Sequence, residues 1–371
     1  MRRLVLVGAG HSHARVLREF ARRGAADVEV VLVSPDAEAP YSGMIPGWLA
    51  GHYGWQECCL DFARLCQRAS ATFRQDSVSA LDPGRSELTL AGGDRLGYDW
   101  LSLDIGSTLN APAGDQTIIL PMRPLSELRE RWENLQKQVG RLAAGARFRI
   151  VMVGGGAAGV ESILAVQRHL TRLAPRVRFH FALVAATPDI LPGMAAGAGR
   201  RLMRRFAERG IVTTSNFSAE KIVDDRLIGS DGRTLQADAV LWATGAEAYL
   251  WPRKAGLSTD QRGFVRVDST LRSLSHRNIF AAGDCAGWEP PLSKAGVYAV
   301  RMGPVLARNL HAALTGQPLR QYVPQRRNLV LIGSGNDEAV AAWGAFSSEG
   351  AWVWRWKQFI DRRFVAHYND A

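Results

Sequence analysis

Two glycine-rich turns, 146 residues apart, constrain the fold of this chain more than any other feature. The first turn, at residues 8–13, follows an apolar strand at 4–7, and the second, at residues 154–159, follows an apolar strand at 150–153. Both lead into a predicted helix. Glycines let the backbone approach a pyrophosphate, and the helix N-terminus supplies N–H groups and a positive dipole end. Two such turns predict two dinucleotides held against each other, typically a flavin and a nicotinamide.

The two turns differ in how completely they match the dinucleotide-binding pattern. The second is a complete G-x-G-x-x-G, formed by Gly154, Gly156 and Gly159, which we predict to contact a cofactor. In the first turn, His13 stands where the third glycine normally allows the helix to pack closely on the strand. We therefore expect a small backbone shift at His13.

The first turn also contains two histidines separated by one residue. His11 and His13 could be interpreted as metal ligands, but at a helix start we expect them to be structural or to contact the pyrophosphate, so no metal site is predicted. The predicted cofactor contacts of this turn are Gly8, Gly10, His11, Ser12 and His13.

The acidic residue that usually binds the adenosine ribose is missing after both turns. Ser34 ends the next strand of the first unit, with Asp36 nearby, and Ala185 ends the matching strand of the second. A neutral side chain there neither attracts a ribose 2′-hydroxyl strongly nor repels a 2′-phosphate. The choice between NADH and NADPH therefore stays open. The arginines at 200 and 201 could favour a phosphate, but we expect them to face solvent. Ser34 and Pro35 are predicted cofactor contacts.

A third signal is the pair Gly283-Asp284 at the end of an apolar strand. The carboxylate is suited to accept a hydrogen bond from a ribitol hydroxyl. A helix is predicted to begin near Ser293, a plausible N-cap, and its positive end with Lys294 would stabilise a reduced flavin. The alternative is an ordinary capped helix with a solvent-exposed lysine. The remaining predicted cofactor contacts are Ser42, Gly106, Ser107, Gly245, Gly283, Asp284, Lys294, Ala295 and Gly296.

Bulk properties agree with a globular protein. The chain has 371 residues, enough for two or three domains, with 47% hydrophobic and 22% charged residues. No apolar run of 18 residues is present, so no transmembrane helix is predicted. The N-terminus enters a strand by residue 4 without a signal peptide, which predicts a cytoplasmic location.

Charge and cysteine content exclude several function classes. The net charge of +11 comes from scattered arginines without a nucleic-acid-binding motif, so no nucleic-acid partner is expected. Cys58, Cys59, Cys66 and Cys285 form neither C-x-x-C nor a metal-binding spacing. The adjacent pair could form a strained disulfide, but reduced thiols are expected in this compartment.

The pattern predicts an α/β fold with two Rossmann-like dinucleotide-binding domains, for FAD and NAD(P), plus a small C-terminal helical and aromatic segment. The predicted FAD-binding domain consists of residues 1–112 and 249–325. Residues 113–248 form the predicted NAD(P)-binding domain, and residues 326–371 form the C-terminal segment.

This ordered set of motifs resembles the flavoproteins with two dinucleotide-binding domains. It is most similar to the pyridine-nucleotide-dependent module found alone or fused to selenide, water dikinase, which is related to type II NADH dehydrogenases and sulfide:quinone oxidoreductases. The supporting residues span nearly the whole chain: 8–13, 41–46, 51–53, 154–161, 283–284, 294–303 and 352–364.

The resemblance implies FAD in the first domain, NAD(P)H in the second, and hydride transfer to the flavin. It implies that Glu161 lies near the flavin–nicotinamide contact as a candidate proton handler, with plain helix polarity as the alternative. It also implies that Pro46 abuts the isoalloxazine. Glu161, Lys294 and Pro46 are the predicted catalytic residues. The chain departs from sulfide:quinone oxidoreductases in its cysteines, and Asp104 stands where relatives usually have a small residue.

The C-terminal segment bears on the electron acceptor. Helical projection of residues 352–364 predicts one broad face, flanked by Arg355, Lys357 and Arg362 and interrupted by Arg363, that contains Trp352, Val353, Trp356, Phe359, Ile360 and Phe364. Such a helix can lie in a membrane interface, as in related quinone reductases, or it can pack on the protein body or a second subunit. Residues 350–366 are therefore a candidate peripheral contact with the inner face of the cell membrane, and the oligomeric state stays open.

The expected activity is that of an NAD(P)H dehydrogenase that passes two electrons from flavin to an acceptor, with a quinone expected. Two alternatives stay open. A sulfide- or selenide-oxidising flavoenzyme would need an accessible cysteine near the flavin, and Cys285 is the only candidate by position. A flavin-bearing binding or sensing module would show no turnover.

Overall fold

The computed structural model describes residues 1–24, 27–109, 112–114 and 117–370. The predicted boundary between residues 112 and 113 lies in a partly described stretch: residues 110–111 and 115–116, on either side of it, and residue 371 are outside the described residues. The helices are α1 (His11–Arg23), α2 (Ile45–Leu49), α3 (Trp55–Cys58), α4 (Phe62–Arg68), α5 (Leu125–Gly140), α6 (Ala157–Leu173), α7 (Ala196–Glu208), α8 (Trp251–Lys254), α9 (Gly296–Thr315) and α10 (Ala351–Asn369), with a short 3-10 helix at Gly283–Cys285.

The strands alternate with these helices along most of the chain. They are β1 (Arg2–Val7), β2 (Val28–Ser34), β3 (Glu38–Pro40), β4 (Cys59–Asp61), β5 (Thr72–Gln75), β6 (Val78–Asp82), β7 (Glu87–Leu90), β8 (Arg95–Gly97), β9 (Trp100–Leu103), β10 (Ala113–Gly114), β11 (Ile119–Pro121), β12 (Arg147–Val153), β13 (Arg178–Val184), β14 (Ile211–Thr214), β15 (Ala219–Val223), β16 (Arg226–Gly229), β17 (Thr234–Gln236), β18 (Ala239–Trp242), β19 (Val265–Arg266), β20 (Ile279–Ala281), β21 (Ala286–Gly287), β22 (Leu329–Gly333), β23 (Ala339–Trp343) and β24 (Phe346–Gly350).

Two parallel sheets form the core of the molecule. The first has the order β20–β9–β1–β2–β5 and the second the order β11–β18–β12–β13–β14. Their central strands are Leu- and Val-rich and buried, as expected for parallel strands covered on both faces. Because β20 lies beyond the second glycine turn in sequence, the chain returns to its first sheet after building the second.

The register places equivalent residues beside the two glycine turns. Val7 pairs with Leu103 in the first sheet, and Val153 pairs with Trp242 in the second. Asp104 and Ala243, which follow these pairs, therefore occupy matching positions. Smaller sheets (β6–β7–β8, β10–β15–β16–β17, β3–β4 and β19–β21) are inserted between the parallel strands.

The C-terminal segment contains more regular structure than the sequence predicted. The antiparallel sheet β22–β23–β24 precedes α10. Glu349 of β24 accepts hydrogen bonds from Arg201 (2.7 Å) and Arg204 of α7. Arg201, predicted to face solvent, therefore links this sheet to helix α7 instead.

The predicted broad apolar face of the last helix is partly covered and partly exposed. Helix α10 covers residues 352–364, but Val353 and Lys357 are buried, whereas Trp352, Trp356 and Phe359 are 52%, 39% and 60% exposed. The apolar side chains thus divide between a packed side and an exposed stripe. A helical projection groups these side chains but does not show which of them other elements cover. Within the described ranges, no helix combines the length and apolar character needed to span a bilayer.

Candidate active site

Both glycine turns open on a single cavity of about 1960 Å³. Gly8, Gly10 and His11 of the first turn line it, as do Gly156 and Gly159 of the second. The cavity lies between the two parallel sheets and the C-terminal unit. Because one space reaches both turns, it can hold two dinucleotides in contact.

The glycines of the second turn have distinct roles. Gly154 has a φ of 124° and does not line the cavity, and a Cβ there would overlap the carbonyl oxygen of Ala243. A Cβ on Gly159 would overlap the carbonyl oxygen of Gly154, so Gly159 permits close packing of helix on turn. A Cβ on Gly156 would meet no atom within 4 Å, because this residue faces the open cavity. Gly156 is thus the point of closest approach for a ligand.

In the first turn, the side chains of Ser12 and His13 are buried away from the cavity, which differs from the predicted direct contact. The His13 ring lies 2.7 Å from the Gly8 carbonyl oxygen through Nδ1 and 2.8 Å from Ser102 Oγ through Nε2. A carbonyl only accepts, so Nδ1 bears the proton. Burial lowers the pKa of His13 to about 4 and keeps the ring neutral. Ser12 Oγ donates to the Ala299 carbonyl (2.8 Å).

Asp104 caps helix α1 through its side chain. Its Oδ2 accepts hydrogen bonds from the backbone N–H groups of Ser12 (2.8 Å) and His13 (3.1 Å). Asp104 also lines the cavity. Burial raises the pKa of its carboxyl to about 7. The sequence indicated that Asp104 is unusual at this position, but it did not predict the contact of Asp104 with helix α1.

The predicted ribitol-binding carboxylate, Asp284, lines the cavity as well. Its Oδ2 accepts from Ser107 Oγ (3.2 Å) and from Arg123 Nη1 (2.5 Å). Gly283 is buried behind it, where a Cβ would overlap Asp104 Oδ1. Sequence reasoning missed Arg123, because its only signal was a lone arginine before a proline.

The residues around this end of the cavity fit an FAD. The Nε2 of His11 is buried and has no hydrogen-bond partner among the described residues, and burial lowers the pKa of His11 to about 4, so a neutral ring faces the cavity. Gly106 has a φ of 68°, and a Cβ there would meet no atom within 4 Å. The other predicted contacts that line the cavity are Ser34, Pro35, Ser42, Pro46, Ser107, Gly245, Lys294, Ala295 and Gly296.

The predicted helix start at Ser293 is wrong. Helix α9 begins at Gly296 with Ala295 as its N-cap residue, so Ser293 and Lys294 precede the helix. Gly296 approaches Ser42 so closely that a Cβ would lie 2.8 Å from Ser42 Oγ. Lys294 Nζ donates to the Ala286 carbonyl (2.7 Å) and lies 3.6 Å from the centre of the Phe264 ring. Burial lowers the pKa of Lys294 to about 8.

Glu161 belongs to a buried cluster that the sequence did not reveal. Its Oε1 accepts from the Gly333 N–H (2.7 Å) and lies 3.7 Å from Lys357 Nζ. Lys357 Nζ donates to Asp361 Oδ2 (2.9 Å) and to the Gly43 carbonyl (2.7 Å). Glu161, Lys357 and Asp361 all line the cavity. The sequence contained one sign of this cluster: Lys357 and Asp361 lie four residues apart on a helix rich in aromatic residues.

Burial raises the pKa of Glu161 to about 7. Burial opposes the charge of Lys357, but Glu161 and Asp361 outweigh it and raise the pKa of Lys357. Burial also raises the pKa of Asp361. A group that titrates near neutrality thus lies beside a permanently charged lysine, which suits Glu161 to holding and releasing a proton.

The cysteines are free, as predicted, and none is in the cavity wall. Cys285 Sγ donates to the carbonyls of Leu103 (3.4 Å) and Ala282 (3.1 Å). Burial raises the pKa of each of the four thiols to about 12. The cysteine-dependent alternative therefore lacks a thiolate at this site.

Comparison with known proteins identifies the family. Residues 2–311 match the pyridine nucleotide-disulphide oxidoreductases. The chain belongs to this family. It is 26% identical over 275 residues to ferroptosis suppressor protein 1 of Taeniopygia guttata. The matched residues cover 72% of this chain and 70% of that protein. Its identity to demethylphylloquinone reductase NdbB of Synechocystis sp. is 26% over 361 residues. The matched residues cover 91% of this chain and 86% of that protein.

A solved structure shows the same fold. The sulfide:quinone oxidoreductase of Aquifex aeolicus superposes with a TM-score of 0.83 at 17% identity, over 100% of this chain and 92% of that one. The predicted α/β fold and the family resemblance are confirmed. The link to the module fused to selenide, water dikinase stays a prediction.

Proposed function

We propose that this chain oxidises NAD(P)H through a bound FAD and passes two electrons to a quinone. The observation that supports this most is the single cavity shared by both glycine turns. Membership of a pyridine nucleotide-dependent family agrees with it. The names of the Synechocystis relative and of the Aquifex structure both include a quinone as reactant. When bound, FAD supplies the hydride and electron chemistry.

The protein contributes positioning and electrostatics. Gly8 and Gly10 bring the backbone to the flavin nucleotide, and Gly156 does so for the nicotinamide nucleotide. Asp284 accepts from a ribitol hydroxyl, and Arg123 balances its charge. Pro46, buried at the start of α2 in the cavity wall, forms part of the surface against which the isoalloxazine lies.

Glu161 handles a proton in the half-reaction with the acceptor. Reduction of a quinone to a quinol consumes two protons, and a buried site needs a group that delivers them. The pKa of Glu161, about 7, lets it release a proton near neutral pH. Lys357 holds the resulting carboxylate through a charge contact, and its bond to the Gly43 carbonyl fixes the turn that carries Ser42 and leads into α2 with Pro46.

Anaerobic stopped-flow mixing tests this function. The FAD-loaded protein is mixed with NADH or NADPH while flavin absorbance is followed, and the reduced protein is then mixed with a soluble quinone. Fast bleaching followed by fast reoxidation is expected. A protein that cannot take up FAD, or that binds FAD without bleaching, would contradict the proposal. Comparison of the two nicotinamides also decides the cofactor preference.

We propose further that α10 makes a peripheral membrane contact. Trp352, Trp356 and Phe359 form an exposed stripe, and Trp352 and Trp356 stack with ring centres 6.2 Å apart. Arg355 and Arg363 are exposed on the same helix. Aromatic rings with flanking arginines suit the headgroup region of an anionic bilayer. The inner-face location stays a prediction.

Vesicle co-sedimentation tests the membrane contact. The triple variant Trp352→Ser, Trp356→Ser and Phe359→Ser is expected to lose binding to vesicles of phosphatidylcholine and phosphatidylglycerol. A matched triple variant changes exposed apolar residues elsewhere: Val212→Ser, Leu250→Ser and Leu274→Ser. Equal binding by both triple variants would contradict the contact.

A further inference from the structure

We propose that Asp104 is an FAD-binding residue that contacts the cofactor's diphosphate as a neutral carboxylic acid. The inference rests on the proposed function, because it requires FAD at the first glycine turn. It goes further in assigning a protonation state and a direct role to a residue that neither the motif nor the family match singles out.

The first observation is the difference between the two matched positions beside the turns. Ala243, directly after β18 of the second sheet, has a methyl group that accepts no hydrogen bond. Asp104, directly after β9 of the first sheet, accepts hydrogen bonds from the N–H groups of Ser12 and His13. These are donors at a helix N-terminus, which in other dinucleotide sites are available to a phosphate. The carboxyl group therefore stands between helix α1 and its anionic ligand.

The second observation is the position of the Asp104 carboxyl group in the cavity wall. A Cβ on Gly10 would overlap Asp104 Cγ, and a Cβ on Gly283 would overlap Asp104 Oδ1. The carboxyl group thus fills the gap between the first turn and the Gly283-Asp284 pair. Gly10 is also part of the cavity wall, so a diphosphate that reaches this turn comes close to Asp104.

The third observation is the charge around this position. The titratable groups nearest to Asp104 come from two elements: His11 and His13 from α1, and Asp284 and Cys285 from the 3-10 helix. The cations Arg123 and Lys294 lie beyond Asp284. Burial lowers the pKa of both histidines to about 4 and raises that of Cys285 to about 12, so these three are neutral at pH 6–8. Arg123 is engaged by Asp284.

An ionised Asp104 would therefore face a diphosphate without a cation of its own. The neutral acid removes this repulsion. With Oδ2 occupied by two backbone donors, the other oxygen bears the proton and donates it to a phosphate oxygen. Burial raises the pKa of Asp104 to about 7, so the acid form is accessible near neutral pH.

The sign of the pH dependence follows from linkage. Asp104 is neutral below pH 7 and ionised above it, and FAD binds the neutral form more tightly. FAD affinity is therefore expected to be constant at low pH and to weaken about tenfold between pH 6 and pH 8. Lys294, whose pKa is about 8, titrates at the upper end of this range and must be separated from Asp104.

The experiment measures FAD dissociation constants for the apoprotein by flavin fluorescence at pH 6, 7 and 8. The variants are Asp104→Asn, which keeps an acceptor for α1 without a charge, and Asp36→Asn, a control for an exposed carboxylate in the same cavity wall. The wild type and the control are expected to weaken about tenfold from pH 6 to pH 8, and Asp104→Asn to stay near the low-pH value. Any pH dependence of FAD affinity that comes from Lys294 is the same in all three proteins.

A slope in Asp104→Asn equal to that of the wild type would overturn the proposal, as would a wild type without a slope. If Asp104→Asn does not fold, proton uptake by the wild type decides. In weak buffer at pH 7, where Lys294 is already mostly protonated, FAD binding is expected to take up about half a proton per FAD, and no uptake would overturn the proposal. Failure to bind FAD at every pH would instead contradict the proposed function itself.

Discussion

The two glycine turns share one backbone frame, and two of the side-chain differences between them bear directly on the cofactor sites. A Cβ on Gly8 would lie 2.5 Å from the carbonyl oxygen of Asp104, and a Cβ on Gly154 would overlap that of Ala243, so each turn touches the same point of its own sheet. These two differences are His13 against Gly159 and Asp104 against Ala243. The strand before each turn has equivalent neighbours in the same register: β9 and β2 flank β1, and β18 and β13 flank β12.

The comparison of His13 with Gly159 shows what the third glycine of the pattern does. A Cβ on Gly159 would overlap the carbonyl oxygen of Gly154. In the first turn, the equivalent carbonyl, that of Gly8, accepts a hydrogen bond from the His13 ring. The position thus accepts a side chain when that side chain offers a donor to the carbonyl and an acceptor to Ser102.

The largest effect is expected when this difference is removed. His13→Gly restores the glycine pattern but places a glycine inside α1, leaves a buried space, and leaves the Gly8 carbonyl and Ser102 Oγ without their partner. It should lower the free energy of unfolding by about 4 kcal/mol, measured by urea denaturation. The control His311→Gly, in helix α9, should cost only about 1 kcal/mol, the helix propensity of glycine. Equal costs for the two variants would mean that the His13 ring contributes nothing to the turn.

A further difference lies in the helices after the two turns, where Glu161 of α6 matches Arg15 of α1. Arg15 pairs with Glu19 (3.4 Å), whereas Glu161 faces the cavity. Glu161→Gln should slow reoxidation by quinone about a hundredfold and leave flavin reduction by NADH nearly unchanged. In the wild type the reoxidation rate should fall above pH 7, because Glu161 has then lost its proton, and the variant should show no such fall.

The control for this prediction is Glu130→Gln, which changes an exposed glutamate of α5. It should leave both half-reactions and their pH profiles unchanged. If Glu161→Gln slowed flavin reduction and reoxidation equally, Glu161 would serve binding or folding rather than proton delivery.

A third test transfers the acid of the first turn to the second. Ala243→Asp places a carboxylate beside the nicotinamide nucleotide turn, where no protein contact prepares for it. The dissociation constant for NAD⁺ should rise about tenfold at pH 8 because of charge repulsion with the diphosphate. Ala243→Asn has nearly the same volume and no charge, and it should bind NAD⁺ more tightly than Ala243→Asp. Calorimetric titration of both variants distinguishes repulsion from steric interference.

The sequence predicted the parts of the molecule that depend on local patterns. The parallel strands, both glycine turns and the Gly283-Asp284 turn follow from apolar runs that end in small residues. Lys357 and Asp361 were not predicted as site residues because their role depends on α10 packing against residues from two other parts of the chain. Arg123 was not predicted for the same reason, because its partner Asp284 is 161 residues away in the sequence. Helix α9 starts three residues later than predicted, at Gly296.

The smallest effect is expected for the hydrogen bond between Ser102 Oγ and His13 Nε2, which helps a histidine to replace the glycine. Ser102 Oγ is fully buried and lies 2.8 Å from His13 Nε2, and the matching residue of the second sheet is Leu241. Ser102→Ala should cost about 1 kcal/mol of unfolding free energy, because Nε2 is left without a donor. In the His13→Gly background the same change should cost almost nothing, since the ring is absent. A double-mutant cycle with no coupling would show that Ser102 stabilises β9 independently of the turn.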